Sequence, residues 1–199
     1  MIIEARTQAQ TFEDYKRTDA HLSTWKDWIL SNWSVQVKAY ESLGWWMIPL
    51  GRRSKKPQAG FSWNAESLNA KEALDHAAHD GNIGVVAGPS RLVILDYDKK
   101  EIPNKLLNVE TIKAITPRGY QFFTEEPFDG KKYETLKLAY PGLDSSPRVD
   151  IMYAVVPLSI TCTGEKGSSH ICQKHDYRIR EWQSFNTLLS FEELVSVVL

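Results

Sequence analysis

Several common sequence features are scarce in this chain of 199 residues, and each absence narrows what the protein can be. Only two cysteines are present, Cys162 and Cys172, which argues against a disulfide scaffold. No run approaches the ~20 apolar residues of a membrane span, and the first residues lack the basic-then-apolar order of a signal peptide. We therefore expect a cytoplasmic protein with no membrane partner.

An excess of charge of one sign is also missing. The net charge is −1, from 24 basic and 25 acidic residues, so the broad basic surface of a protein that coats DNA is absent. The densest basic stretch is Arg52-Arg53-Ser54-Lys55-Lys56. It is either a solvated loop or a local patch that binds phosphates. Hydrophobic residues make up 42 % of the chain, which is enough for a packed core.

Periodicity and turn residues predict an α+β fold with a mainly antiparallel sheet flanked by helices. Helices are predicted over residues 12–33 and 35–43, from the cap Asn69 to His79, and from the cap Ser190 to the end of the chain. Hairpins are predicted around Gly88, between strands 83–86 and 92–98, and around residues 116–119, between strands 112–115 and 120–124. Further strands are predicted over residues 45–50, 136–140 and 149–160.

The feature with the clearest chemistry is Asp96-Tyr97-Asp98, which follows the apolar run 92–95. A strand places residues i and i+2 on one face, so the two carboxylates should point the same way, with Cα atoms ~6.5 Å apart. Two acids this close repel each other, and a divalent cation removes that cost. Taken alone, the motif also fits a strand that simply ends in solvent.

Two further pieces extend the acidic pair. Asp150 is predicted to face one side of a strand, with Val149 and Ile151 on the other side. Three acids on neighbouring strands can hold two cations ~3.5–4 Å apart, as two-metal phosphoryl transfer requires. The turn at residues 116–119 contains Arg118 and Gly119, which would supply a guanidinium fork and exposed backbone N–H groups for phosphate.

The order of these elements resembles the bifunctional primase–polymerase (Prim-Pol) branch of the archaeo-eukaryotic primases, through most of residues 35–182. The pieces that carry the resemblance are Ala39-Tyr40, Gly44-Trp45 and Pro49-Leu50; Lys56-Pro57 and Trp63; Asn82-Ile83-Gly84-Val85, Gly88 and the run from Leu92 to Asp98; Thr116-Pro117-Arg118-Gly119; Asp150, Val155-Val156-Pro157 and Ser159; and Gly164, Tyr177 and Trp182.

The resemblance implies a template-directed nucleotidyltransferase with an RRM-like palm, acting as a DNA primase and/or DNA polymerase of a mobile element or virus. Residues 1–34 would be an N-terminal helical extension, and residues 35–199 the catalytic domain. Relatives often continue into a helical bundle and a helicase, so we expect either a stand-alone core or an excised domain, with a replicative helicase as a partner.

The resemblance also assigns roles to residues. The metal ligands for two Mg²⁺ or Mn²⁺ ions would be Asp96, Asp98 and Asp150. The residues that bind the incoming (d)NTP would be Arg118, Gly119, Gln121 and Lys56, with Tyr97 and Tyr120 as candidates to contact its sugar. From their charge rather than from the resemblance, the residues that contact a single-stranded DNA template would be Arg52, Arg53 and Lys55.

One departure from the family pattern concerns a histidine that normally follows the glycine of the second motif and contacts the triphosphate. This chain has Tyr120-Gln121-Phe122 there. Gln121 takes the place of the histidine if one residue is deleted from the turn, and Phe122 takes it otherwise. Glutamine can donate a hydrogen bond but cannot carry imidazolium charge. Two alternatives therefore stay open: a degenerate primase-fold module that binds single-stranded DNA or a replication origin, and a metal-dependent nuclease.

A second unusual feature is the segment between Gly164 and Tyr177. Together with the preceding cysteine it contains two cysteines and two histidines, a chemically complete zinc set. Their spacing is not that of a common zinc finger, although some relatives carry a zinc-binding insertion. The alternatives are a Zn²⁺ site and a loop with free thiols. The residues are Cys162, His170, Cys172 and His175.

Overall fold

A computed structural model describes residues 33–52, 54–79, 81–99, 101–116, 118–150, 152–156, 160–162, 177–179, 181–184 and 187–199. The helix predicted over residues 12–33 and the predicted N-terminal extension therefore lie almost wholly outside the described residues. Arg53 lies outside them as well.

Five helices and nine strands are present in the described ranges. The helices are α1 (residues 33–42), α2 (Ala70–Ala78), α3 (Asn104–Leu107), α4 (Gly130–Ala139) and α5 (Phe191–Val198). The strands are β1 (Trp46–Leu50), β2 (Asn82–Val86), β3 (Leu92–Tyr97), β4 (Ile112–Ile115), β5 (Tyr120–Glu125), β6 (Tyr153–Val155), β7 (Ile160–Cys162), β8 (Tyr177–Ile179) and β9 (Glu181–Ser184). None of these helices is long and apolar enough to cross a membrane.

The strands form three antiparallel sheets, which confirms the predicted α+β class. The first sheet has the order β1-β2-β6, and the second has the order β3-β5-β4-β9. Strands β7 and β8 form a separate two-stranded sheet. The edge of β3 that β5 leaves open is covered by residues 142–148, which make backbone hydrogen bonds to it without forming a regular strand.

Of the two predicted hairpins, the one around residues 116–119 is confirmed, since β4 and β5 pair in antiparallel register. The one around Gly88 is wrong, because β2 and β3 belong to different sheets. The N–H of Gly88 donates to the carbonyl of Asp150 at 2.6 Å, and Arg91 has a φ of 56°. The turn therefore passes the chain from one sheet to the other.

Two further strand predictions are corrected. The predicted strand over residues 136–140 belongs to α4, because the Asp129 side chain caps the N–H groups of Lys131 and Lys132 and starts a helix there. The predicted strand from residue 149 begins only at Tyr153, because Asp150 lies in a turn with a φ of 52°. A left-handed residue cannot continue a regular strand.

The helix ends follow the sequence signals closely. The capping boxes of Asn69 with Glu72, and of Ser190 with Glu193, start α2 and α5 as predicted. Helix α1 ends before Gly44, whose φ of 70° suits glycine.

Among the described residues the core consists of three clusters, and the second sheet separates two of them. Strand β3 shows the division: Leu92 and Ile94 face a cluster shared with the first sheet, α1 and α2. Val93 and Leu95 face a second cluster, covered by α4 and α5. The third cluster lies on the outer face of the first sheet. Because side chains alternate along a strand, Asp96 lies on the face of Leu92 and Ile94.

Candidate active site

The site is centred on Asp96, at the end of β3. The residue directly opposite it on β5 is Gln121, and Ala114 on β4 comes next across the sheet. Directly opposed residues have Cβ atoms ~4.5–5.5 Å apart. Asp96 is 6 % exposed and Gln121 is 2 % exposed. Two polar groups therefore lie side by side at the end of an otherwise apolar face, which is where a functional group is expected.

The Asp96 carboxylate forms an ion pair with the guanidinium of Arg148. Arg148 belongs to the segment beside β3, and its backbone exchanges hydrogen bonds of 2.8 and 3.0 Å with Ile94. Burial lowers the pKa of Arg148, because it penalises the charged form. Two charges that would each be costly to bury thus neutralise each other.

Asp98 has an arginine partner of its own. Arg118, in the turn between β4 and β5, places Nη2 2.6 Å from the Asp98 Oδ2. This pair is more exposed than the first, since the side chains are 54 % and 29 % exposed for Arg118 and Asp98. Both acids of the Asp-x-Asp motif therefore face a guanidinium group.

Gly119 allows the turn to approach β3 closely enough for this contact. A Cβ atom at residue 119 would overlap the carbonyl oxygen of Tyr97 and lie 2.9 Å from that of Lys99. The Thr116 hydroxyl accepts a hydrogen bond of 3.1 Å from the Gly119 N–H and so closes the turn. The glycine is required by the closeness of the two backbones.

Asp150 lies in an exposed turn that packs against Gly88. A Cβ atom at residue 88 would lie 2.6 Å from the Asp150 carbonyl oxygen, so glycine is needed here too.

In the part of the chain that the structure describes, no three His, Cys, Asp or Glu side chains form a group that could hold a metal ion. The carboxylates of Asp96 and Asp98 are the hard oxygen donors that Mg²⁺ and Mn²⁺ prefer. Joint coordination by all three acids stays a prediction.

The basic loop after β1 is tied to the same region. The Tyr153 hydroxyl donates a hydrogen bond of 2.9 Å to the carbonyl of Lys55, and the Asn82 amide donates to that of Ser54. Burial raises the pKa of Tyr153, and the Arg148 charge lowers it, so these two side chains lie close enough to interact. Arg52, Lys55 and Lys56 are exposed on this loop.

A family model for the N-terminal domain of bifunctional DNA primase/polymerases, Prim-Pol, matches residues 36–183. The match covers well over half of the chain. The chain belongs to the Prim-Pol family. Membership makes it a nucleotidyltransferase domain of the primase/polymerase type in general, with DNA and nucleotides as substrates. Comparison with curated proteins gives no significant match.

Strand register favours one of the two alignments of this Prim-Pol domain at the missing histidine. Gln121 lies on the face of Asp96, whereas Phe122 is buried in the second cluster, on the opposite face. Tyr97 and Tyr120 also pack with the second cluster, and the Tyr97 hydroxyl donates to the carbonyl of Glu101. Strand alternation places them on the opposite face from Asp96, and their interpretation as sugar contacts stays a prediction.

Arg148 is the residue of the Prim-Pol site that the sequence analysis missed. It lies 52 residues beyond Asp96 in the sequence, in a segment that forms no regular strand. The one available signal in the sequence was that Arg148 lies two residues before Asp150, which was predicted to be a metal ligand.

Of the zinc candidates, His170, Cys172 and His175 lie outside the described residues, as does the side chain of Cys162. Zinc binding therefore stays a prediction.

Proposed function

We propose that this Prim-Pol domain is a template-directed DNA primase and/or DNA polymerase that transfers nucleotides at Asp96, Asp98 and Asp150. The observation that carries the proposal is the shared position of Asp96, Gln121 and the Arg118–Asp98 pair at one end of the second sheet. Acidic metal ligands, a hydrogen-bond donor and a phosphate-binding arginine are the groups that metal-dependent phosphoryl transfer needs.

Each residue has a defined task in the proposed reaction. Mg²⁺ or Mn²⁺ bound to the three carboxylates would lower the pKa of the attacking 3′-hydroxyl and neutralise charge on the leaving pyrophosphate. Arg118 presents its guanidinium fork to the triphosphate. The N–H groups of Arg118 and Gly119 donate to the Thr116 hydroxyl in this structure, so the proposed contact of Gly119 with phosphate requires these hydrogen bonds to open. Gln121 donates a neutral hydrogen bond, and Lys56 adds charge from the loop after β1.

The single-stranded template would lie along the basic loop, with Arg52, Arg53 and Lys55 on its phosphates. This assignment is supported by the link between that loop and the acids through Tyr153 and Arg148. Two expectations stay predictions: that a replicative helicase is a partner, and that the protein is encoded by a mobile element or virus.

A primer-extension assay with a primed single-stranded template, dNTPs and Mn²⁺ tests the proposal. We expect extension by the unchanged chain and none by Asp96→Asn, Asp98→Asn or Asp150→Asn. The matched control is Asp75→Asn on α2, which changes an exposed aspartate and should retain full activity. Primer extension by the variant that combines Asp96→Asn, Asp98→Asn and Asp150→Asn would contradict the proposal.

A second function is favoured by Gln121, which is neutral where the family carries a histidine. On this reading the domain binds single-stranded DNA or an origin without synthesis. Calorimetry separates the two: binding of DNA without any binding of Mn²⁺ or dNTP supports the second function. Degradation of DNA without added nucleotides would instead indicate a nuclease.

A further inference from the structure

We propose that Arg148 is a positioning residue: it serves as the counter-ion of Asp96 before metal binds, and it turns to the triphosphate when metal takes the carboxylate. Arg148 would thereby couple metal binding to nucleotide binding. This inference rests on the proposed function of the site, and it concerns a residue to which that function assigns no task.

The first step is the competition for Asp96. Its carboxylate is 8 % exposed and already contacts the Arg148 guanidinium. A buried carboxylate that loses a neutralising charge is strongly destabilised, so this guanidinium contact resists release. Arg148 contacts one carboxylate oxygen, Oδ2. A metal ion that takes this oxygen displaces the guanidinium and restores the charge balance at Asp96 when it does. Metal alone is therefore expected to bind weakly.

The second step is the fate of the displaced guanidinium. The backbone of Arg148 is held by its two hydrogen bonds to Ile94, so only the side chain is free to turn away. That side chain is 24 % exposed, so part of it already reaches the surface, where a bound anion could meet it. A half-buried guanidinium needs a new anion, and phosphate oxygens accept its fork in bidentate fashion. The triphosphate is the anion that the proposed reaction supplies.

The second arginine–aspartate pair provides an internal comparison. The Arg118–Asp98 pair is much more exposed than the Arg148–Asp96 pair. Exposed ion pairs contribute little free energy, so releasing Arg118 costs little. Metal affinity should therefore depend on Arg148 and hardly on Arg118.

The test measures Mn²⁺ binding to the full chain by calorimetry, with and without a deoxynucleoside α,β-imidotriphosphate, which cannot react. For the unchanged chain we expect the analogue to lower the Kd for Mn²⁺ by about tenfold. For Arg148→Met we expect Mn²⁺ alone to bind about tenfold more tightly, with a much smaller effect of the analogue. Arg118→Met should leave the affinity for Mn²⁺ alone at the wild-type value, although it weakens binding of the analogue. Lys132→Met, which breaks the surface pair with Glu192, is the matched control.

Wild-type Mn²⁺ affinity together with wild-type coupling in Arg148→Met would overturn the inference, as would weaker Mn²⁺ binding. If Arg148→Met folds only when Mn²⁺ is added, the inference is supported, because metal then replaces the lost counter-ion. Failure to fold at every Mn²⁺ concentration contradicts it. Arg148→Lys, which keeps the charge and loses the fork, should retain folding and reduce the coupling.

The outcome is separable from that of the proposed function. Coupling between Mn²⁺ and the analogue that depends on Arg148, in a chain that extends no primer, supports the inference and contradicts synthesis. If the unchanged chain extends primers and Arg148→Met leaves the coupling intact, synthesis is supported and the inference is contradicted.

Discussion

Asp96 and Gln121 face each other directly across the antiparallel pair of β3 and β5, and both side chains are buried. The family pattern places a histidine in the motif that Gln121 occupies here. A glutamine at this position can donate to a phosphate oxygen but adds no positive charge. The identity of this one side chain should therefore set the strength of triphosphate binding.

Gln121→His tests that dependence. A histidine beside the Asp96 carboxylate is favoured in its protonated form, and a charged donor binds phosphate more strongly than a neutral one. We expect triphosphate affinity to rise about fivefold, the factor that ~1 kcal/mol supplies. Calorimetry with the imidotriphosphate analogue measures the change, and primer extension should follow it.

The control for this change is Phe122→His, one residue further along β5. Its side chain belongs to the second cluster, so the new imidazole would be buried among apolar groups and away from Asp96. We expect a loss of stability and no gain in affinity. Equal affinity gains in the two variants would contradict the assigned register.

Gly119→Ala should disconnect the turn from β3. The added Cβ would overlap the Tyr97 carbonyl, so the turn must move and the Arg118–Asp98 contact should be lost. We expect the free energy of unfolding to fall by ~1–3 kcal/mol, as for other forced overpacking. Urea unfolding measures it, and Kd for the triphosphate should rise.

The matched control is Gly130→Ala at the start of α4. Its added Cβ would meet only the Phe128 ring, at 3.8 Å, and alanine favours helix. We expect unchanged or slightly greater stability. A loss as large as that of Gly119→Ala would show that the cost does not come from the close approach to β3.

Local signals in the sequence were enough to predict the elements whose causes are local. The capping boxes at Asn69 and Ser190 lie within one turn of the helices they start, and the turn at Gly119 joins strands that are neighbours in the chain. The Asp-x-Asp motif also lies at the end of its predicted strand. Each of these features depends on residues a few positions apart.

Features that depend on distant segments could not be predicted in this way. The sheet that β3 joins is decided by its pairing with β5 and by residues 142–148, so the tight turn at Gly88 wrongly indicated a hairpin. The contact of Arg148 with Asp96 arises from that same irregular pairing. The left-handed turn at Asp150 has no sequence signature, because aspartate adopts this conformation only occasionally.

The basic loop after β1 should bind single-stranded DNA mainly through charge. We expect Arg52→Ala, Arg53→Ala and Lys55→Ala each to weaken binding for all sequences alike. Each lost phosphate contact should reduce the slope of log Kobs against log salt by ~0.7, so the triple variant loses ~2. Fluorescence anisotropy over a salt series measures the slopes. Lys137→Ala, on α4 and paired with Glu134, should leave the slope unchanged.

Tyr133 joins α4 to the chain segment beside the acids, and its titration should be visible in alkaline unfolding. Its hydroxyl donates a hydrogen bond of 2.8 Å to the backbone carbonyl of Asp144. The backbone N–H of Asp144 in turn donates a hydrogen bond to the backbone carbonyl of Asp96. Burial raises the pKa of Tyr133 from 10.0 to about 12, with the charges of Asp144 and Glu134 adding to the effect.

A phenol whose pKa is raised on folding stabilises the fold fully below its unfolded pKa, and that stabilisation is lost as pH rises through the folded value. The free energy of unfolding should therefore fall between pH 10.0 and about 12. Tyr133→Phe should lose ~1 kcal/mol at neutral pH with the hydrogen bond, and it should show a shallower alkaline decline. Part of the decline should persist, because burial also raises the pKa values of Tyr97 and Tyr140. Urea unfolding at a series of pH values checks this, and an equally steep decline in Tyr133→Phe would exclude Tyr133 as a source of the alkaline loss.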